Sequence, residues 1–154
     1  IRDRLWAGLL SSDGPFFFSS GSAYTVGRGE KVQNLSPLTK IPLWIAKPLV
    51  GLSTPLVYKH CLPNACSTKD PLTLLDCFRA GKFNTEHDLE FSAFKLKPEL
   101  KSLKQNLLSL GFKTVAMTGS GTAFYCLGQV EKPAFQNITF EKVSFLSREK
   151  SSWY

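Results

Sequence analysis

Much that would assign this chain to a familiar class is missing. No run approaches the roughly 18 consecutive apolar residues that a transmembrane helix needs, so a membrane-spanning partner role is not expected. Its four cysteines, Cys61, Cys66, Cys77 and Cys126, form no Cys-x-x-Cys pair and have no histidine at zinc-ligand spacing. That leaves no assignable metal ligands and leads to an expectation of four free thiols in a reducing, cytoplasm-like compartment. No Lys/Arg block exceeds two residues, and no basic stretch interleaves with aromatics in the RNA-binding manner. There is no internal repeat, no low-complexity segment and no Gly-x-x-x-x-Gly-Lys-Ser/Thr phosphate loop. His60 and His87 have no Ser or Cys partner at a recognisable spacing, so no hydrolase triad is legible. No signal peptide opens the chain. It starts at Ile1, inside what reads as a helix, and that start is expected to be a cut.

What is present is ordinary for a globular protein. The 154 residues suit one domain, or one and part of another. Hydrophobic residues make up 43% and charged residues 20%. Twelve Phe, 3 Trp and 4 Tyr supply a core and exclude disorder by composition. The 19 basic and 12 acidic side chains give a net charge of +7. The excess lies in residues 1–60 and 101–154, whereas residues 61–100 are slightly acidic. Such a surface is either merely solvated or attracts nucleic acid, anionic lipid or a phosphorylated small molecule.

Patterning along the chain gives an order of elements. Leu5, Trp6, Leu9 and Leu10 fall at helical i, i+4 spacing, and Ser11-Ser12-Asp13-Gly14-Pro15 stops that helix. Phe16-Phe17-Phe18 reads as core. Residues 22–26 and 30–35 read as strands around a bend at Gly27-Arg28-Gly29. Ser36-Pro37 and Pro42 flank a break, with a domain boundary expected near residue 38. Residues 43–46 form a continuous apolar run suited to a central strand, followed by a loop over 47–52. Ser53-Thr54-Pro55 and Asp70-Pro71 are helix starts, each an N-cap residue before a proline at the first turn. The first helix carries Leu56, Val57 and Tyr58 and ends before Pro63; the second runs through Phe78 to Gly81. Residues 88–94 form a short helix. Residues 98–110 are the clearest helix, with Leu100, Leu103, Leu107 and Leu110 on one face and Gly111 as terminator. Strands are expected over 114–117, 123–127 and 140–145, the last with Val143 and Phe145 on one face. This order predicts an α+β architecture.

Three groups of residues could carry chemistry. Thr118-Gly119-Ser120-Gly121 links two short strands after an amphipathic helix, and closely spaced glycines let main-chain N–H groups turn toward a phosphate. A plain hairpin turn has the same composition. Asp13, held at a corner, could orient a hydroxyl nucleophile or accept its proton, although Asp-Gly is also a routine turn former. Thr54, Pro55 and Tyr58 share one helix turn, where a phenol ring could stack on a ligand base or pack in a core.

In order, these segments resemble the later half of the 4-diphosphocytidyl-2-C-methyl-D-erythritol kinases, members of the GHMP superfamily in non-mevalonate isoprenoid biosynthesis. The likeness covers about residues 5–128. Ser11-Ser12-Asp13-Gly14-Pro15-Phe16-Phe17 is similar to the family's Gly-x-Asp-Val-Pro-Phe-Phe. Gly21-Ser22-Ala23 through Gly27-Arg28-Gly29-Glu30 is similar to its Gly-x-Ala…Gly-x-Gly-Glu hairpin. The stretch from Lys47-Pro48 to Ser53-Thr54-Pro55-Leu56-Val57-Tyr58 is similar to the one ending in Ser/Pro-Thr-Pro-x-x-Tyr/Phe. His87-Asp88-Leu89-Glu90 resembles Asn-Asp-Leu-Glu, and Met117 through Gly121 resembles the third superfamily motif. The departures are Ser11 for Gly, Gly14 for Val and His87 for Asn. Residues 129–154 have no counterpart.

The resemblance implies a ferredoxin-like sheet with helices over residues 39–154, preceded by the tail of an N-terminal ATP-binding domain over 1–38. It implies that Asp13 is the catalytic aspartate, that Thr54, Pro55 and Tyr58 hold the cytosine end of the substrate, and that Thr118, Gly119, Ser120 and Gly121 line the phosphate site. The reaction implied is ATP- and Mg²⁺-dependent phosphorylation of the 2-hydroxyl of a cytidine diphosphate methylerythritol, in a bacterial cytoplasm or a plastid stroma. The family's N-terminal lysine and its Pro-x-x-x-Gly-Leu-x-Gly-Gly-Ser-Ser loop are absent here, which predicts that the chain alone turns over nothing. The other readings are a stand-alone α+β nucleotide- or RNA-binding module, and another GHMP small-molecule kinase.

Overall fold

The computed structural model describes residues 2–38, 41–83 and 87–148. They fall into two compact units, one of residues 1–41 with 144–154 and one of residues 42–143. The two units meet in the chain at 41/42, and the described residues 144–148 group with the first.

In the first unit, helix α1 (Arg2–Leu10) is closed by Ser11 N–H donating to the Ala7 carbonyl at 3.0 Å. Pro15 then starts a 3-10 turn, Gly14–Phe18, whose first bond runs from Phe16 N–H to the Asp13 carbonyl at 3.1 Å. Strands β1 (Ala23–Val26) and β2 (Lys31–Asn34) form an antiparallel hairpin with Ala23 opposite Asn34 and Val26 opposite Lys31. In its turn, the Glu30 carboxylate accepts the Arg28 N–H at 2.6 Å. Main-chain hydrogen bonds at Glu30 and Arg28 hold that carboxyl below the usual range. The returning tail is fastened by Arg148 N–H to the Ser20 carbonyl at 2.9 Å and by its guanidinium to the Phe17 carbonyl at 3.4 Å.

One expectation fails in this unit. Phe16-Phe17-Phe18 is not a buried core run: Phe17 is 60% exposed, Phe16 and Phe18 are half-buried, and Pro15 is the buried residue. A 3-10 turn fans successive side chains around its axis, so three in a row cannot all face inward. In α1, Trp6, Leu9 and Leu10 are exposed and Ala7 is buried. The Leu5 side chain lies outside the described residues.

The second unit is a four-stranded sheet with helices. Strand β3 (Pro42–Pro48) is followed by α2 (Thr54–Lys59), a 3-10 turn at Pro63–Ala65, α3 (Pro71–Arg79), α4 (Leu89–Leu96) and α5 (Pro98–Ser109). Then come β4 (Thr114–Met117), β5 (Phe124–Leu127) and β6 (Ile138–Ser144). The spatial order is β4-β5-β3-β6, with β5 antiparallel to both β3 and β4. This is the strand order of a ferredoxin-like split β-α-β arrangement. The fold class is α+β, as expected.

One part of that arrangement is missing: residues 128–137, which carry the chain from β5 past β3 to β6, contain no helix. Trp44 of β3 anchors this crossover instead, its indole N–H donating to the Val130 carbonyl at 2.9 Å. The core lies between the sheet and α4–α5 and consists of Ala46, Ala93, Leu100, Leu103, Leu107, Phe112, Val115, Met117, Phe124 and Cys126. Burying each of the α5 leucines contributes about 1.5–3 kcal/mol. Leu110, expected on that face, is instead exposed just past the helix end. β3 runs two residues beyond the apolar stretch, so Lys47 and Pro48 belong to strand and not loop. β6 begins at Ile138 rather than 140, and Val143 near its end is exposed.

Candidate functional site

The second unit brings two of the three residue groups together. α2 begins one residue after Ser53, with Pro55 in its first turn, where a missing N–H costs nothing. Thr54 thus faces out at the helix start, and Tyr58, one turn on, is 61% exposed, so it is not a core aromatic. The 118–121 segment closes the β4–β5 hairpin, with Thr118 N–H donating to the Ala123 carbonyl at 2.9 Å. Gly119 has φ +67 with nothing near an added Cβ, so glycine is needed there for backbone conformation rather than for space. The Thr54 and Ser120 hydroxyls lie 2.9 Å apart in a hydrogen bond across 66 residues of sequence. Thr122 Oγ1 adds a second tie, donating to the Val50 carbonyl at 3.0 Å.

Beside this junction is a cleft of about 520 Å³, lined by Lys47, residues 49–52, Gly121, Thr122 and Thr139. A lysine, two hydroxyls and open glycine backbone can hold an anionic group, and an exposed phenol one helix turn from Thr54 can stack on a ring. Lys47 and Thr122 are absent from the sequence-derived site. Lys47 was hidden by its assignment to a loop, and Thr122 has no local signal.

Asp13 belongs to the first unit. It precedes the 3-10 turn at φ −89, ψ −11, its side chain caps nothing, and it is exposed. A Cβ at Gly29 would meet the Ser12 carbonyl oxygen at 2.9 Å and Asp13 Oδ1 at 3.4 Å, so the hairpin turn rests on the aspartate corner. At Gly14 a Cβ would stand 2.6 Å from the Ala7 carbonyl oxygen, so here the valine usual in the resembled family has no room. Among the described residues no group of three or more His, Cys, Asp or Glu could hold a metal ion.

Behind the 118–121 loop lies a buried ion pair that carries no role in the sequence reading. Glu90 Oε2 accepts from Lys104 Nζ at 2.6 Å, and Oε1 accepts the Met117 N–H at 2.9 Å. The signal was available: an acidic residue on the inward face of α4, two positions before Ser92 of the buried pair Ser92 and Ala93. The neighbouring His87 has a buried Nδ1 with no hydrogen-bond partner among the described residues, and burial lowers its pKa from the usual 6.5. All four cysteines are free; Cys61 and Cys66 Sγ lie 3.9 Å apart, and burial pushes the Cys126 thiol up to about 12.

Residues 65–137 match the family model described as GHMP kinases C terminal. On an α+β fold, residues 65–137 are thus similar to the C-terminal domain of the GHMP kinases. Over nearly its whole length the chain is similar to 4-diphosphocytidyl-2-C-methyl-D-erythritol kinases. It is 45% identical over 151 residues to the one from Protochlamydia amoebophila, covering 97% of this chain and 50% of that protein. It is 37% identical over 164 residues to the chloroplastic/chromoplastic one from Solanum lycopersicum, covering 97% of this chain and 41% of that protein. A crystal structure of 4-(cytidine 5'-diphospho)-2C-methyl-D-erythritol kinase aligns with TM-score 0.67 at 33% identity, over 82% of this chain and 47% of that one. The chain thus spans about half the length of the curated relatives it matches.

Proposed function

We propose that the chain is the later part of a kinase that transfers phosphate from ATP to the 2-hydroxyl of 4-diphosphocytidyl-2-C-methyl-D-erythritol. The observation that carries this reading is the 45% identity to a kinase of that name over nearly the whole chain. The hydrogen-bonded meeting of Thr54 with Ser120 supports it, because it joins the two segments assigned to the substrate.

The first unit would belong to the ATP-binding domain and the second would be the C-terminal substrate domain. In the second, Tyr58 stacks on the cytosine ring, with Thr54 and Pro55 beside it. Thr118, Gly119, Ser120 and Gly121 present main-chain N–H groups and hydroxyls to the diphosphate, and stacking plus anion contacts fix the substrate's long axis. From the first unit, Asp13 orients the acceptor hydroxyl and takes its proton. A single exposed carboxylate fits that task. ATP with Mg²⁺ would supply the phosphoryl group. Four free thiols, with plastid and bacterial relatives, support a reducing compartment such as a cytoplasm or a stroma.

The test is a phosphoryl-transfer assay with ATP and the cytidine diphosphate substrate, on the full-length protein and on the 154 residues alone. Turnover by the full-length protein, abolished in Asp13→Asn and absent from the 154-residue chain, is the expected result. Robust turnover by the short chain would overturn the division of labour. No turnover by the full-length protein would overturn the activity.

A further inference from the structure

Strand β4 is an edge strand, so its main-chain N–H groups alternate between bonding β5 and facing away from the sheet. Thr118 N–H bonds across the hairpin to Ala123, which turns the Met117 N–H outward. Met117 is fully buried, and a buried main-chain donor requires a partner. That partner is a charged side chain from another element: Glu90 Oε1, at 2.9 Å. The carboxylate's second oxygen is held by Lys104 Nζ at 2.6 Å, and the two side chains are 11% and 18% exposed. One carboxylate thus joins α4, α5 and the last residue of β4. Any neutral acceptor would satisfy the edge N–H. A nearly buried ion pair is costly to desolvate, and here Lys104 holds the Glu90 side chain where its other oxygen meets the Met117 N–H. The residue it fixes stands immediately before the 118–121 loop, whose Ser120 must reach Thr54.

We propose that Glu90, held by Lys104, is a positioning residue that sets the glycine-rich loop by clamping the main chain at Met117. Its effect on catalysis rests on the kinase reading above; its effect on loop order does not.

Two measurements separate these. Hydrogen exchange on the 154-residue chain, with no ligand, reads the loop directly. Glu90→Leu should speed exchange of the amides from Met117 to Gly121 by at least about tenfold more than Leu107→Ala does, since the latter loosens the same core without touching the clamp. In the full-length protein, Glu90→Leu should lower kcat/KM by about 10- to 100-fold, since small misplacements of binding groups carry such losses. Leu107→Ala should stay within about threefold. In Glu90→Gln with Lys104→Met, the single amide oxygen is left to Met117, and both loop protection and kcat/KM should recover to within about threefold of wild type. Should Glu90→Leu fail to fold, the double variant decides: loop protection retained supports the clamp, and protection lost overturns it. Exchange and kinetics of Glu90→Leu that match Leu107→Ala also overturn it, leaving Glu90 a merely structural residue. If wild-type full-length protein does not phosphorylate the cytidine compound, the kinase reading falls, and the exchange experiment still decides the clamp.

Discussion

At the scale of single residues, Tyr58 and His87 make opposite demands on their surroundings. Tyr58 is largely exposed, so Tyr58→Ala should leave stability within about 0.5 kcal/mol. If the ring stacks on cytosine, the same change removes about 1–3 kcal/mol of binding. Steady-state kinetics of the full-length protein should then show KM for the cytidine diphosphate substrate raised about tenfold with kcat nearly constant. An unchanged KM would point to a different GHMP substrate. His87 is half-buried, and burial lowers its pKa from 6.5, with Glu90 and Asp88 opposing that shift and Lys104 adding to it. Below that ordinary value the unfolded chain takes up a proton that the folded chain refuses. The contribution of His87 to stability is thus complete above about pH 6.5 and is lost as pH falls through its lower folded value. Urea midpoints at pH 7.5 and 5.5 should therefore drop more for wild type than for His87→Asn. Equal drops would mean that the imidazole is free to charge in the fold.

At the scale of elements, two contacts decide how the second unit holds together around its cleft. The Thr54–Ser120 hydrogen bond is solvent-exposed, so its net worth is about 0.5–1.5 kcal/mol at most. A double-mutant cycle of Thr54→Val and Ser120→Ala, read by chemical denaturation, should give a coupling energy in or below that range. Trp44 does what a helix does in a complete ferredoxin-like crossover. Its indole N–H bonds Val130 and its ring lies 5.9 Å from the Lys142 ammonium. Trp44→Phe keeps the packing and removes the N–H, so it should cost about 1 kcal/mol. It should also accelerate hydrogen exchange selectively in residues 128–137; a change spread evenly over the unit would argue against that anchoring role.

For the whole molecule, the exposed apolar residues of α1 bear on behaviour in solution. Trp6, Leu9 and Leu10 lie along α1, with Leu10 88% exposed. Such surface promotes association. Sedimentation velocity of the 154-residue chain should show concentration-dependent oligomers, and Trp6→Gln with Leu10→Gln should shift the distribution toward monomer. A wild-type chain that stays monomeric at high micromolar concentration would contradict this.

Most elements were legible locally. The Asp70-Pro71 start is realised with the carboxylate accepting Thr73 N–H at 3.1 Å, and Leu100, Leu103 and Leu107 form the buried stripe their spacing predicts. Misreadings arose where burial is set by neighbours rather than by period, as at Phe17 and Leu110. Likewise, the site segments could be named from their order, but not the bond that joins Thr54 to Ser120, nor the reach of Glu90 to Met117.

The sequence by itself determined helix starts, turn positions, strand alternation and the order of family-like segments, because these depend on residues within a few positions of one another. Only the tertiary structure decided which strand end meets which helix, that a loop crosses where a helix was implied, and that one buried carboxylate links three elements. Those outcomes depend on contacts tens of residues apart, whose partners compete for the same space and whose desolvation cost exists only once the core has closed.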